Sequence, residues 1–376
     1  MSLKIAWVTV RRWDEMCTTT TDALVRGLVN RGHHVTILNS DTVGSHDSFP
    51  WKHVALKQSK WPGRKGATLA KSAQSWFKGQ HHEDFDVILI DWPLASVLGR
   101  FLSKRDNHRL VLMDRSPPAD ATFLAKLQWR GWARAWSMLG QGLFSEGLVV
   151  SKAHQNYVVN QIGVNINNVH CIPAGVHLGE FQIAPTWQCG PWKFVYHGRL
   201  DKHRGVLALP MLMRILTNKG FDVHLTLIGD GDVLGVLQEM AKNEPLLSVV
   251  SQVPREQIPS LLEKQHIGLL PMPQSRVWSL ASPLKRSEYL AAGLLVYGIE
   301  HSGHQIDGAS ETWFNLSSQK DFHEQAGQWI GELSQLTKET LEKRSLLARS
   351  YAEKHCSWEA SVGALEEILQ SISLEQ

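Results

Sequence analysis

The sequence has few cysteines and no long apolar run. Its four cysteines, Cys17, Cys171, Cys189 and Cys356, form no C-x-x-C pair and have no histidine at zinc-ligand spacing. Neither a disulfide framework nor a structural zinc site is therefore predicted. No apolar run reaches the roughly 18–20 residues that cross a bilayer, and the amino terminus lacks the features of a secretory signal. We therefore expect a cytoplasmic protein.

The length and composition are those of a globular chain with two domains. The chain has 376 residues, of which 43% are hydrophobic and 20% charged, enough for two cores of about 150–200 residues each. The net charge of +3 hides an asymmetry, because residues 1–182 carry 21 Lys and Arg against 14 Asp and Glu, and the rest 18 against 22. This asymmetry indicates that the first half meets an anionic partner.

Short apolar runs alternate with longer helical patterns, as in parallel sheets with helical crossovers. The strands predicted in the first half are 4–10, 34–38, 53–56, 86–91, 109–114, 147–151 and 169–173. After the prolines at 185 and 191 the pattern restarts, with strands predicted at 193–198, 224–231, 247–253, 267–273 and 294–299. We therefore predict an α/β fold with two Rossmann-like, doubly wound domains, 1–184 and 191–352, facing a central cleft. The last helix, about 357–376, either caps the second domain or crosses back to the first, to which we assign it.

Three cations lie in a glycine-flanked loop after the first strand of the second domain. Arg199, Lys202 and Arg204 fall between Gly198 and Gly205, at the strand end where open α/β sheets bind ligands. Guanidinium groups bind phosphate oxygens bidentately, so the pattern favours a diphosphate. A solvated basic loop is the alternative.

The segment 282–293 reads as a short helix with a functional amino end. Ser282 is suited to the N-cap, Pro283 to the first helical position, and Gly293 to the end. Helix amino ends attract phosphate, Lys285 adds a charge, and Glu288 is placed to accept hydrogen bonds from sugar hydroxyls. An ordinary capped helix is the alternative.

Together these segments resemble the GT-B glycosyltransferases, and among them the retaining enzymes of glycosyltransferase family 4. The resemblance covers nearly the whole chain and is carried by five motifs in family order. These are I-P-A-G-V at 172–176, G-R-L-x-x-x-R-G at 198–205, L-I-G-D-G at 227–231, S-P-L-K-x-x-E-Y-L-A-A-G at 282–293, and C-S-W at 356–358. The motif at 282–293, which begins with S-P-L-K, is the most specific of the five.

The resemblance implies roles for individual residues. Arg199 and Arg204 are expected to hold the donor diphosphate and Glu288 the nucleotide ribose, and these three are the implied catalytic residues. The implied donor-binding residues are Gly198, Lys202, Gly231, Gln252, Val253, Ser282, Pro283, Leu284 and Lys285. Gln252 and Val253 are expected to face the nucleobase. The first glutamate of the family's E-x7-E pattern would fall at Leu280, so that half of the motif is missing.

No metal or dinucleotide cofactor is expected. Asp230 and Asp232 form a D-x-D, but in a turn that GT-B enzymes share, so we expect no metal ligand there. Gly229 and Gly231 lack the third glycine of a dinucleotide fingerprint, since Leu234 occupies that position. The nucleotide-sugar is then a substrate and not a cofactor.

The first domain is expected to bind the acceptor. The family's glycine-rich loop after the first strand is absent, but Asp14, Asp91, Asp114 and Arg115 follow predicted strands and are the weaker acceptor-side candidates.

Two segments combine cations with aromatic residues. Residues 51–80 hold seven Lys and Arg, no acid, and four aromatic side chains, Trp51, Trp61, Trp76 and Phe77. In 126–136, Trp129, Trp132 and Trp136 share one helical face beside Lys126, Arg130 and Arg134. Such segments lie on anionic bilayers, which predicts a peripheral protein on the inner membrane face. The alternative is that the tryptophans are core residues, and no motif supports a nucleic-acid partner.

The predicted function is transfer of a sugar from a UDP- or GDP-sugar to a glycan or lipid-linked acceptor, with retention and without metal. Two alternatives stay open. One is a non-catalytic GT-B scaffold, which the missing glutamate would permit, and the other is a GT-B nucleotide-sugar epimerase.

Overall fold

The structure, a computed structural model, describes residues 1–13, 18–80, 84–106, 109–118, 123–182, 187 and 190–374. The chain divides into two compact units, one of Met1–Ala174 with Trp358–Gln376 and one of Gly175–Ser357. Each is built on a parallel sheet crossed by helices, so the predicted fold class is confirmed. No helix among the described residues combines the length and apolarity that a membrane span requires.

The first unit has a seven-stranded sheet in the order β3-β2-β1-β4-β5-β6-β7. Its strands are β1 Lys4–Val8, β2 His34–Asn39, β3 Lys52–Ala55, β4 Val87–Asp91, β5 Leu110–Met113, β6 Glu146–Val149 and β7 Val169–Cys171. Its helices are α1 Thr19–Asn30, α2 Lys65–Lys78, α3 Trp92–Leu94, α4 Arg100–Asp106, α5 Phe123–Gly140 and α6 Lys152–Ile162, with a π turn at Ala95–Gly99. Apart from the edge strands β3 and β7, these strands are short and mostly buried apolar runs, as is typical of parallel sheets covered on both faces.

The second unit has a six-stranded sheet in the order β10-β9-β8-β11-β12-β13. Its strands are β8 Trp192–His197, β9 Val223–Ile228, β10 Leu247–Val250, β11 Ile267–Leu270, β12 Leu295–Ile299 and β13 Phe314–Ser317. Its helices are α7 Ala208–Asn218, α8 Leu234–Asn243, α9 Ile258–Leu262, α10 Arg276–Leu280, α11 Leu284–Ala291, α12 Phe322–Ser334 and α13 Lys338–His355. β13 was not predicted, because F-N-L-S is short and half polar and forms the edge of the sheet.

The final helix, α14 Trp358–Leu374, lies in the first unit and packs against α1. Gly27 of α1 makes this approach close, since a Cβ there would fall 2.3 Å from Val362 Cγ2. Arg31 Nη1 then donates to Glu366 Oε2 at 2.7 Å. The terminal helix is therefore held by both packing and charge.

Residues 175–182, placed in the first domain from the sequence, lie with the second unit. Val176 N–H donates to Cys356 O at 2.7 Å, and Phe181 is buried in the second core. Arg349 Nη1 also donates to Phe181 O at 2.8 Å. The second unit therefore begins at Gly175. The boundary predicted from the sequence lay later in the chain, at the prolines 185 and 191.

Candidate functional site: the carboxyl edge of the second sheet

Glycines allow two loops to touch at the carboxyl ends of β8 and β9. Gly198 follows β8 with φ +113°, and Gly229 follows β9 with φ +145°. A Cβ on Gly229 would lie 1.8 Å from Gly198 O, and one on Gly231 would lie 2.3 Å from Leu200 O. Any side chain at position 229 or 231 would therefore push the two loops apart.

Arg199 and Arg204 are brought together by this loop packing. Arg199 donates to Asp201 through Nε at 3.1 Å and through Nη2 at 2.8 Å, and these hydrogen bonds raise the pKa of Arg199. Arg204 Nε lies 3.5 Å from Asp201 Oδ2, and its guanidinium carbon lies 4.7 Å from the centre of the Trp278 ring. Two guanidinium groups therefore share one carboxylate at the strand end.

Lys202 and the D-x-D turn form the outer part of the same loop pair. The backbone N–H of Lys202 donates to Asp232 Oδ1 at 2.8 Å, and Arg199 Nη1 lies 3.8 Å from Asp230 Oδ2. Both aspartates thus contact loop 198–205. Within the described ranges, no three His, Cys, Asp or Glu side chains are grouped so as to hold a metal ion.

Lys285 of α11 contacts the carboxyl end of β8 beside Gly198. Its Nζ donates to Tyr196 Oη at 3.0 Å and lies 4.2 Å from the centre of that ring. A Cβ on Gly198 would fall 3.4 Å from Lys285 Nζ. Burial, together with repulsion from Arg204, lowers the pKa of Lys285 to about 7. A bound anion would favour the charged form of this lysine.

Glu288 lies one turn further along α11 and is buried. His197 Nε2 lies 3.1 Å from its Oε2, and Arg255 Nη2 lies 3.7 Å from its Oε1. Burial acts to raise the pKa of Glu288, but His197, Arg255 and Lys285 outweigh it and leave the pKa below its ordinary value. An ionised carboxylate at this position can accept hydrogen bonds from hydroxyl groups.

The remaining donor-side candidates occupy neighbouring loops of the second unit. Ser282, Pro283 and Leu284 are half-buried before and at the start of α11. Pro283 and not Ser282 is the N-cap residue, so the predicted serine cap is wrong. Gln252 is exposed and Val253 half-buried in the loop after β10. Arg255 of that loop is the residue that approaches Glu288.

The described acceptor-side candidates of the first unit bond to buried partners of their own. Asp114 is fully buried, where its Oδ2 accepts from Trp136 Nε1 at 2.9 Å and from Trp132 Nε1. Asp91 is buried and accepts from Thr9 Oγ1 at 2.6 Å. Arg115 donates from Nη1 to Ile172 O at 2.9 Å, and burial lowers its pKa to about 10. Asp14 lies outside the described residues.

Most of the aromatic residues expected at a membrane surface are core residues instead. Trp51, Phe77, Trp132 and Trp136 are buried in the first unit. Trp61 is 76% exposed, and the seven cations of 51–80 are exposed as well. Among the described residues of 51–80 and 126–136, only the segment 51–80 therefore combines a largely exposed aromatic ring with exposed charges.

Several site residues were missed in the sequence. Asp201, His197, Tyr196 and Arg255 each contact a residue that the motifs had singled out. Asp201 lies inside the motif at 198–205, and Tyr196 and His197 directly precede it. The need for an anion to balance the cations of this motif could have indicated Asp201. Arg255 had no such signal, because it meets Glu288 only through the fold.

Comparisons with known proteins agree with the fold. The family model described as Glycosyltransferase Family 4 matches residues 18–180. No curated protein matches the chain. Sucrose-phosphate synthase (tll1590) from Thermosynechococcus elongatus is similar, with TM-score 0.79 and 14% identity over 100% of both chains.

Two further solved structures are similar over nearly their whole length. Anabaena Alr3699/HepE in complex with UDP has TM-score 0.74 and 13% identity over 98% of this chain and 100% of its own. WaaG, a glycosyltransferase involved in lipopolysaccharide biosynthesis, has TM-score 0.69 and 14% identity over 98% and 99%. Identities this low show the fold alone, and that fold is GT-B. The resemblance to family 4 expected from the motifs is confirmed.

Proposed function

We propose a specific reaction for this chain, which is a GT-B glycosyltransferase resembling family 4. It moves a sugar from a UDP- or GDP-sugar to a glycan or lipid-linked acceptor, with retention and without a metal ion. The second unit holds the donor, and the first unit holds the acceptor.

The observation that carries this proposal is the group of cations at the carboxyl edge of the second sheet. Arg199 and Arg204 share Asp201, and Lys285 reaches the same loop through Tyr196 and Gly198. Such a group suits a diphosphate, because each cation can donate to a different phosphate oxygen. Glu288 then takes the ribose hydroxyls, as the resemblance implies.

The chemistry needs a stabilised leaving group more than a strong base. The bond between the anomeric carbon and a diphosphate oxygen breaks, so negative charge grows on the diphosphate. The acceptor hydroxyl oxygen bonds to the same carbon, and its proton passes to the departing diphosphate. Arg199, Arg204 and Lys285 stabilise the growing charge, which is the role that a metal ion plays in other transferases.

The donor class is supported by the UDP in the HepE complex, and the lipid-linked acceptor by the lipopolysaccharide pathway of WaaG. Asp14, Asp91 and Arg115 remain the acceptor-side candidates in the first unit. The exposed Trp61 among the cations of 51–80 supports a peripheral position on an anionic membrane.

A scaffold without turnover is the second candidate, and Leu280 is the observation that favours it. Leu280 is buried where the family has a sugar-binding glutamate, so a donor could bind without being transferred. Protection against thermal unfolding by a panel of UDP-, GDP- and ADP-sugars separates the two. Protection together with release of the nucleoside diphosphate supports transfer, whereas protection without release supports the scaffold. No protection by any of them contradicts both.

A further inference from the structure

A single carboxylate joins the two arginines of the proposed diphosphate site. Asp201 Oδ1 accepts from Arg199 Nη2 at 2.8 Å, and Oδ2 accepts from Arg199 Nε at 3.1 Å. Arg204 Nε lies 3.5 Å from the same Oδ2. The Asp201 side chain is only 9% exposed, while that of Arg199 is 38% exposed. The carboxylate therefore holds the guanidinium groups from the protein side and leaves Arg199 open to solvent.

The backbone around Asp201 fixes this carboxylate in place. A Cβ on Gly231 would fall 2.7 Å from Asp201 Oδ1, so glycine is needed for the approach. Asp232 N–H donates to Oδ1 at 3.4 Å. Asp201 O accepts from Arg204 N–H at 2.9 Å and so closes the turn that brings the second arginine back.

Other acids in the loop pair balance charge without holding both arginines. Asp230 is 49% exposed and lies 3.8 Å from Arg199 alone. Asp232 accepts from the Lys202 backbone. Within the part of the chain that the structure describes, Asp201 is the one carboxylate within 4 Å of both guanidinium groups.

We propose that Asp201 is the positioning residue of the donor site, holding Arg199 and Arg204 as one preformed pair for the diphosphate. The inference rests on the proposed function. Without Asp201, two long side chains would have to be ordered when the diphosphate binds, which weakens binding. Its negative charge alone acts in the opposite direction, because a carboxylate repels phosphate. The sign of the effect therefore separates positioning from simple charge balance.

Inorganic pyrophosphate tests this without knowledge of the base or sugar. Calorimetry would compare the wild type with Asp201→Asn and with the matched variant Asp230→Asn, which removes the same charge from the same loop pair. We expect Asp201→Asn to bind pyrophosphate about tenfold more weakly, since both arginines lose their anchor. Asp230→Asn should bind it equally or more tightly, because repulsion falls while the arginines stay in place.

A double variant shows whether Asp201 acts through the arginines. On an Arg199→Ala background the Asp201→Asn change should lose most of its effect; an undiminished tenfold effect there overturns the inference. The inference is also overturned if Asp201→Asn binds pyrophosphate as well as Asp230→Asn does while Arg199→Ala binds it poorly. Equal binding by wild type and Arg199→Ala contradicts the proposed function itself. If thermal unfolding shows that Asp201→Asn is unfolded, Asp201→Ser, which can still begin the turn, replaces it with the same expected outcomes.

Discussion

Asp114 in the first unit and Asp201 in the second occupy comparable positions with opposite surroundings. Each follows a parallel strand, β5 or β8, and each interacts with several donor groups. The donors to Asp114 belong to Trp132 and Trp136, whose rings seal it completely. The donors to Asp201 belong to arginines that remain partly exposed. The residues that pair with a strand-end carboxylate therefore decide whether it is enclosed in the core or lies beside partly exposed cations.

The largest effect that separates the two carboxylates is expected for stability. Asp114→Ala leaves Trp132 Nε1 and Trp136 Nε1 buried without an acceptor, and it also removes the carboxylate 3.1 Å from His154 Nε2. We expect the free energy of unfolding to fall by about 3–5 kcal/mol, as when a buried charged partner is deleted. Urea denaturation followed by tryptophan fluorescence measures it.

Asp201→Ala is the matched control for that measurement. Arg199, which donates two hydrogen bonds to Asp201, is partly exposed and can turn to water. We therefore expect the free energy of unfolding to fall by only about 1–2 kcal/mol. An equal loss of unfolding free energy in Asp114→Ala and Asp201→Ala would contradict the contrast between a carboxylate that stabilises the core and one that does not.

The next effect concerns transfer itself. Arg199→Ala and Arg204→Ala should each lower kcat/KM for the nucleotide-sugar identified by the panel, with a loss of about 2–4 kcal/mol of transition-state stabilisation. The fold should survive, because both side chains are partly exposed. Steady-state kinetics and thermal unfolding of the same samples measure the two quantities. Near-normal turnover by either variant would move the diphosphate site elsewhere, with Lys202 as the next residue to change.

The sheets could be predicted from the sequence because parallel strands are apolar runs between helical patterns. The loops at 198–205 and 282–293 could be singled out because their motifs are short and local, and their role in donor binding stays a prediction. Trp132 and Trp136 could not be distinguished from interfacial residues, because an amphipathic helix presents the same periodicity to a core and to a membrane. The partnership of Asp201 with both arginines depends on the turn at 202–204 and on the approach of Gly231, which spacing alone does not reveal.

A pH dependence sharpens the comparison between the buried cations of the two units. The pKa of Lys285 is lowered to about 7, whereas that of Arg115 is about 10. Lys285 must therefore take up a proton when a diphosphate binds above pH 7, so affinity should fall as the pH rises, by at most tenfold per unit. Calorimetry with UDP and GDP between pH 7 and 9 measures this, since their phosphates are already ionised there.

Lys285→Gln is the control, because it removes the titrating group. Its affinity should be lower at pH 7 and should change little up to pH 9. An identical pH slope in wild type and variant would show that another group takes up the proton.

The smallest effect for a single residue is expected at the surface formed by residues 51–80. Trp61 is exposed there, in contrast to the buried Trp132 and Trp136 of α5. Trp61 is 76% exposed, and Lys57, Lys60 and Lys65 of the same segment are exposed too. The protein should sediment with vesicles containing anionic lipid and be released by salt, because screening weakens the attraction. Replacing each lysine with glutamine should weaken binding by roughly 1 kcal/mol, and Trp61→Ala should weaken it further. UDP and GDP affinity should stay unchanged, since the donor residues belong to the other unit. Equal recovery in the supernatant with anionic and neutral vesicles would remove the membrane from the proposal, and a water-soluble glycan would then be the better acceptor to test.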